Sequence, residues 1–172
     1  VVWTMTSIER EKELQAIRIP IYKGLIGWRI FLANKIDLHK YKAKMTDKEL
    51  RSFKFVQGQD WPDHDILTEN GFNVLPAPSY DSNFGMLLKS RVNFFPRSVI
   101  EIWDEEAFYK FRGVRVEPTK LLIYPTAFYY FLNYSNKILA NAINEGLEIA
   151  IRDGSFDSLF YEYHRLILKK TN

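Results

Sequence analysis

The chain has 172 residues, of which 47% are hydrophobic and 16% aromatic, enough for one domain or two small lobes with a packed core. Its net charge of +3 is spread among interleaved acids, so no clustered basic patch indicates nucleic acid binding. The absence of cysteine excludes disulfides and thiol nucleophiles, and no apolar run reaches the length of a membrane span.

The N-terminal part is predicted to combine short strands with one polar helix. Residues 1–5 are β-rich and lack the features of a signal peptide, so we interpret them as a strand cut out of something longer. Residues 7–14 predict a helix capped by Ser7. The β-branched and aromatic residues at 24–33 predict a strand.

The middle of the chain alternates predicted strands and helices. A capping box at Thr46 and Glu49 marks one helix start. Strands are predicted at residues 53–56, 72–75, 92–95 and 121–124, and helices at 62–70, 82–90 and 98–111. This alternation predicts crossover connections and a mostly parallel sheet with helices on both faces, which is an α/β fold.

The C-terminal part predicts an aromatic strand and then two helices. The first helix begins at Asn133 or Ser135 and ends at Gly154. Within it, apolar residues recur at every fourth position, a stripe predicted to face a core. They are Leu139, Ile143, Leu147 and Ile151.

No motif indicates catalysis, a cofactor or a metal, so we expect a protein that is not an enzyme. The three histidines are scattered, and nucleophile-elbow, phosphate-loop and dinucleotide-binding motifs are absent. The run Asp63-His64-Asp65 has the residue types of a metal site, but consecutive helix positions point in different directions. Residues 104–106 offer paired carboxylates, which we interpret as solvated side chains rather than an acid–base pair.

The order of these elements resembles the amino-acid-type (type II) periplasmic solute-binding proteins of ABC transporters. The resemblance implies a periplasmic-binding-protein-like fold with one complete lobe, a partial second lobe and two hinge strands between them. Residues 31–124 would be the complete lobe two, with a parallel-type sheet. Residues 1–30 and 125–172 would be a partial lobe one, because its early strands and helices have no counterpart in this chain, which we expect to be truncated at the N-terminus.

The resemblance also implies ligand-binding residues in lobe one. In that family, an arginine at a helix start grips the carboxylate of an amino acid, assisted by neighbouring hydroxyl groups. The matching residues here are Thr6, Ser7 and Arg10. A guanidinium at a helix N-terminus suits a carboxylate. The alternative is that Arg10 belongs to a solvated, charged helix face.

In lobe two, the resemblance implies a glycine loop that donates backbone amides to the same carboxylate. Gly58, Gln59 and Asp60 occupy this loop, and Trp61 after it offers a ring for stacking on a ligand. Many family members carry an acid near Phe95 that binds the ligand amine, whereas this chain has Arg97. Arg97 would favour an anion. The alternative is a surface arginine, or one paired with Glu101 at i+4.

Two functions follow from the resemblance. The first is a periplasmic protein that captures a small amino-acid-like or anionic solute between two lobes and delivers it to a membrane permease. The second is a ligand-sensing or interaction domain of the same fold that takes no part in transport. In one form of this alternative, the domain has lost ligand binding. The incomplete lobe one predicts an open sheet edge and an apolar face, and therefore a homo-oligomer or a domain swap.

Overall fold

The computed structural model describes residues 1–171, with side chains up to residue 169. Its contacts divide the chain into two compact units. Unit 1 consists of Val1–Gly27 together with the described residues from Tyr124 onward, and unit 2 consists of Trp28–Ile123. The predicted assignment of these units as a partial and a complete lobe stays a prediction.

The helices and strands of residues 1–171 follow one another in a mixed α and β order. In chain order they are β1 (Val2–Met5), α1 (Ile8–Glu13), β2 (Gln15–Ile17), β3 (Trp28–Asn34), α2 (Asp47–Arg51), β4 (Lys54–Gly58), α3 (Pro62–Glu69), β5 (Asn73–Ala77), α4 (Tyr80–Leu88), β6 (Phe95–Ser98), α5 (Ile102–Tyr109), β7 (Val114–Ile123), β8 (Phe128–Leu132), α6 (Lys137–Arg152) and α7 (Ser155–Thr171). None of these helices is long and apolar enough to span a membrane.

Unit 1 is a three-stranded antiparallel sheet with helices packed against it. β8 lies in the middle and pairs with β1 on one side and β2 on the other. The buried residues Ile17, Leu132 and Ala140 form a core on which side chains of α6 pack. Because β1 and β2 precede unit 2 and β8 follows it, this sheet needs both chain segments.

The α6 stripe predicted from the sequence is wrong in part. Ile143 and Leu147 pack on the core, but Leu139 and Ile151 are 39% and 48% exposed. Four residues advance an α-helix by about 400°, so a strict four-residue repeat drifts by roughly 40° at each step. The core-facing line is therefore Ala140, Ile143 and Leu147, with spacings of three and four.

Unit 2 contains a parallel pair and an antiparallel sheet. β4 and β5 pair in parallel, and a parallel bridge from Phe55 to Phe94 places the chain entering β6 beside β4. The expectation of a mostly parallel sheet is wrong for β3, which pairs antiparallel with both β6 and β7. The rings of Phe31, Phe55 and Phe94 meet at centroid distances of 5.2–5.5 Å and fill the core.

Several predicted boundaries shift for identifiable reasons. The strand expected from residue 24 starts at Trp28, because Leu25–Gly27 forms a 3₁₀ turn. The helix expected from Ser98 starts at Ile102, since Ser98 pairs with Arg29 of β3. β7 starts at Val114, earlier than expected, because residues 114–117 also pair with β3 on the far side of a bulge that contains a proline.

Candidate ligand-binding site

Three strands of unit 2 end at the same edge of that unit. β4, β5 and β6 run parallel and finish at Gly58, Ala77 and Ser98. We call the residues at and after these ends, 58–61, 79–81 and 98–101, the carboxyl edge. In parallel α/β sheets, ligands bind at the carboxyl ends of the strands. The edge therefore places Trp61, Tyr80 and Glu101 where a ligand site is expected.

Gly58 and Trp61 form the first part of the edge. A Cβ atom added to Gly58 would lie 2.7 Å from ring carbons of Trp61, so only glycine lets the indole lie on this backbone. The N–H of Trp61 donates to the Gly58 carbonyl at 3.0 Å, and the N–H of Gln59 donates to the Ala77 carbonyl at 3.0 Å. These two backbone N–H groups therefore already have hydrogen-bond acceptors within unit 2. Asp60, which lies between them in the sequence, is exposed.

Arg97 lies buried under the edge in an ion pair. Its Nε donates to both carboxylate oxygens of Glu105 at 2.8 and 2.9 Å, and its Nη2 lies 2.7 Å from Glu105 and 3.2 Å from Glu101. The i+4 pairing with Glu101 considered from the sequence is present, and Glu105 is its stronger partner. Burial alone would lower the pKa of Arg97, but the charges of Glu101 and Glu105 outweigh it and raise that pKa further.

Further residues of unit 2 contact the carboxylates that pair with Arg97. Arg29 of β3 approaches Asp63 at 2.7 Å and Glu101 at 3.6 Å. Tyr80 donates from its hydroxyl to Glu105 at 2.8 Å. Burial and the Glu105 charge raise the pKa of the Tyr80 phenol well above its ordinary value. We call Arg29, Asp63, Glu101, Arg97, Glu105 and Tyr80 the ion-pair network.

This network corrects one expectation from the sequence, and it separates Asp63 from His64 as consecutive helix positions predict. Asp63 is buried beside Arg29, while His64 contacts Asp65 at 2.9 Å, so the run is not held as one cluster. Glu105 is 9% exposed and Glu106 accepts the Val116 N–H at 3.0 Å, so neither is the solvated carboxylate that was expected. The sequence signals that could have indicated the network were an arginine inside the apolar run of β3 and the carboxylates spaced four and eight residues after Arg97.

The predicted residues of unit 1 lie at the start of α1. Ser7 caps this helix and accepts the Arg10 N–H at 3.2 Å, as predicted. Arg10 donates from Nη1 to the Met5 carbonyl at 2.6 Å and is partly exposed. Thr6 donates from Oγ1 to Glu11 at 2.5 Å. That hydrogen bond and Arg18 lower the pKa of Glu11. The three residues therefore lie together at one helix terminus.

The structure thus brings the predicted residues together in two groups. Gly58, Gln59, Asp60 and Trp61 share one loop, and the Arg97 guanidinium lies 5.0 Å from the Trp61 ring centroid. Thr6, Ser7 and Arg10 form the second group, in unit 1. Sequence reasoning missed Tyr80, although it follows β5 as Trp61 follows β4. The ligand-binding role of each predicted residue stays a prediction.

Solved structures provide the comparison, since no family model and no curated protein matches this chain. An amino acid ABC transporter substrate-binding protein from Streptococcus pneumoniae, bound to L-arginine, matches with TM-score 0.67 and 16% identity over 92% of this chain and 64% of its own. The periplasmic VFT2 domain of Bordetella pertussis BvgS matches with TM-score 0.72 and 13% identity over 94% and 65%. A histidine kinase sensor domain with similarity to periplasmic binding proteins matches with TM-score 0.67 and 13% identity over 94% and 67%.

These matches decide the fold. The chain has the fold of the periplasmic solute-binding proteins. It spans about two thirds of the length of the proteins it matches. The resemblance predicted from the order of elements is confirmed at the level of the fold, and within the solute-binding fold the aromatic carboxyl edge is the site candidate that unit 2 offers.

Proposed function

We propose that this protein is an extracytoplasmic solute-binding protein that captures a small amino-acid-like solute and delivers it to a membrane permease. The observation that carries the proposal is the solute-binding fold, which extends over more than nine tenths of the chain. The carboxyl edge supports it, because Trp61 and Tyr80 present aromatic surface at the position where α/β sheets bind ligands. Arg10 is the proposed carboxylate-binding residue of unit 1.

A ligand screen tests this function. A ligand that binds only the folded protein raises its free energy of unfolding, by about 2.7 kcal/mol when the ligand concentration is a hundred times Kd. The melting temperature rises as a result. We expect one class among amino acids, small carboxylates and inorganic anions to raise the melting temperature of the intact chain. The Trp61→Ala variant should lose that shift. Phe108→Ala is the matched control, because Phe108 is an aromatic residue of the same unit that is 72% exposed. A folded protein that no compound stabilises would contradict the proposal.

Ligand sensing is the second candidate function. The observation that favours it is the match to a histidine kinase sensor domain at a TM-score equal to that of the transporter protein. Both functions need a bound solute, so the ligand screen does not separate them. Neighbouring genes for a permease and an ATPase would support transport, whereas fusion to a signalling domain would support sensing.

Self-association is a further part of the proposal. β1 is one of the two outer strands of its sheet, and Val2 and Trp3 on it are 51% and 61% exposed. β1 carries no lysine, no proline and no bulge, the features that usually protect a sheet edge from pairing. We therefore propose that unit 1 mediates a homo-oligomer or a domain swap.

A further inference from the structure

Unit 1 contains a cavity that shares no residue with the predicted ligand-binding groups. It has a volume of about 260 Å³ and is lined by residues of α6, α7, β8 and the segment before β3. Of the nine lining residues, five are tyrosine or phenylalanine, three are leucine or isoleucine, and one is His164. Leu159 and Tyr163 among them are 58% and 73% exposed, so solvent reaches the cavity. The cavity therefore offers a largely aromatic surface to a small molecule.

α7 presents one face to this cavity, and contacts beside the cavity hold the helix in place. Phe156, Phe160 and His164 line it at four-residue intervals, the spacing at which side chains share a helix face. The Nζ of Lys23 lies 2.5 Å from Oδ1 of Asp157 and 5.3 Å from the centroid of the Phe160 ring. These contacts join α7 to the segment before β3, so the two walls of the cavity are fixed relative to each other.

The lining favours an uncharged ligand. It contains no Asp, Glu, Lys or Arg, and the charge of Lys23 beside it is balanced by Asp157. Burial lowers the pKa of His164 below its ordinary value, so its imidazole is uncharged at neutral pH. A charged group that entered the cavity would lose hydration without gaining an opposite charge, which costs free energy.

His164 supplies a buried polar atom that a ligand can bond to. Its Nδ1 is buried and has no hydrogen-bond partner among the described residues. The imidazole ring packs on Phe160 and Tyr22, whose ring centroids are 4.8 and 5.9 Å away. A buried polar atom that stays unpaired destabilises the protein, so a ligand that bonds to it gains free energy. A hydroxyl group suits either tautomer of the imidazole, because it both donates and accepts a hydrogen bond.

The volume of the cavity sets the size of the ligand. A cavity of about 150 Å³ holds benzene, so about 260 Å³ accommodates one aromatic ring with one or two small substituents. Aromatic side chains around such a ring supply offset-stacked and edge-to-face contacts. We propose that this cavity binds a small uncharged phenol, whose ring lies among the tyrosine and phenylalanine side chains and whose hydroxyl group bonds to His164. The site goes beyond the proposed function, since it takes a different class of molecule at a different place.

The test compares two ligands of nearly the same shape. In 4-methylphenol a hydroxyl group replaces one methyl group of 1,4-dimethylbenzene. A cavity that offered apolar contacts alone would favour dimethylbenzene, because a methyl group is more hydrophobic than a hydroxyl group. In nuclear magnetic resonance titrations of the intact chain, we expect 4-methylphenol to bind about threefold or more tightly than dimethylbenzene. Its amide shift changes should centre on residues 21–23 and 155–164. Equal or tighter binding of dimethylbenzene, no binding of either compound, or shift changes centred on residues 58–101 would overturn the proposal.

Variants of His164 assign the hydroxyl preference to this residue. His164→Phe keeps an aromatic ring and removes Nδ1, so it should weaken 4-methylphenol binding about fivefold while changing dimethylbenzene binding less than about twofold. His39→Phe is the matched control, because His39 is an exposed histidine of unit 2, and it should keep the preference. A folded His164→Phe protein that still prefers 4-methylphenol would overturn the role of His164. Loss of 4-methylphenol binding as the chain self-associates would assign the cavity to a second copy of the chain and overturn the proposal.

Discussion

At the level of single residues, Gly58 shows how a missing side chain shapes a site. The Trp61 ring occupies the space in which any other residue would place its Cβ atom. We predict that Gly58→Ala displaces the indole and lowers the free energy of unfolding by about 1–3 kcal/mol, the usual cost of overpacking. Urea unfolding measures the free energy, and near-ultraviolet circular dichroism reports the displaced ring.

The matched control is Gly85→Ala. Gly85 lies in α4, and nothing lies within 4 Å of the position that its Cβ would take. Alanine is the better helix former, so this variant should be as stable as the parent or up to about 1 kcal/mol more stable. Equal effects of the two variants would show that Gly58 is not reserved for the Trp61 ring.

The sequence alone predicted some of these residues, but not the ion pairs that they form in the fold. Gly58 and Trp61 were predicted because a glycine loop followed by an aromatic residue is a local pattern. Arg97 was a candidate too, but its neutralisation depends on α5 starting at Ile102, which brings Glu105 to its guanidinium. Partners that come from different elements are set by tertiary packing, so a linear pattern does not contain them.

At the level of elements, the side chains of α6 test which face of the helix is the core face. Leu147 packs on the core of unit 1, and Ile151 is 48% exposed although it belongs to the same four-residue repeat. We predict that Leu147→Ala lowers the free energy of unfolding by about 1–3 kcal/mol and that Ile151→Ala changes it by less than about 1 kcal/mol. Chemical denaturation of both variants provides the measurement. A larger effect at Ile151 would restore the face predicted from the repeat.

Elements with local signals were predictable, and elements defined by their partners were less so. Thr46 and Glu49 form the predicted capping box, and Pro62 occupies the first turn of α3 as expected. These signals act within four residues, so the sequence contains them in full. The limits of β3, β6 and β7 depend on strand pairing across tens of residues, which explains why their predicted bounds shifted.

At the level of the whole molecule, the two units depend on the chain in different ways. Unit 2 is one continuous segment, and its first and last residues, Trp28 and Ile123, pair in the ladder between β3 and β7. Unit 1 combines two segments, because its central strand β8 comes after unit 2 in the sequence. Most of the exposed large hydrophobic side chains among the described residues also lie in unit 1. We therefore expect unit 2 to fold on its own and unit 1 to mediate association between chains.

Excision of residues 28–123 tests both statements. We expect this fragment to fold, because its core of Phe31, Phe55 and Phe94 is complete within it and its ends already lie side by side. Dispersed amide resonances and a cooperative urea transition would measure this. In sedimentation at rising concentration, the intact chain should associate while the fragment stays monomeric, since burial of apolar surface drives association. An intact chain that stays monomeric would contradict the role of unit 1, and a fragment that associates equally would place the contact in unit 2.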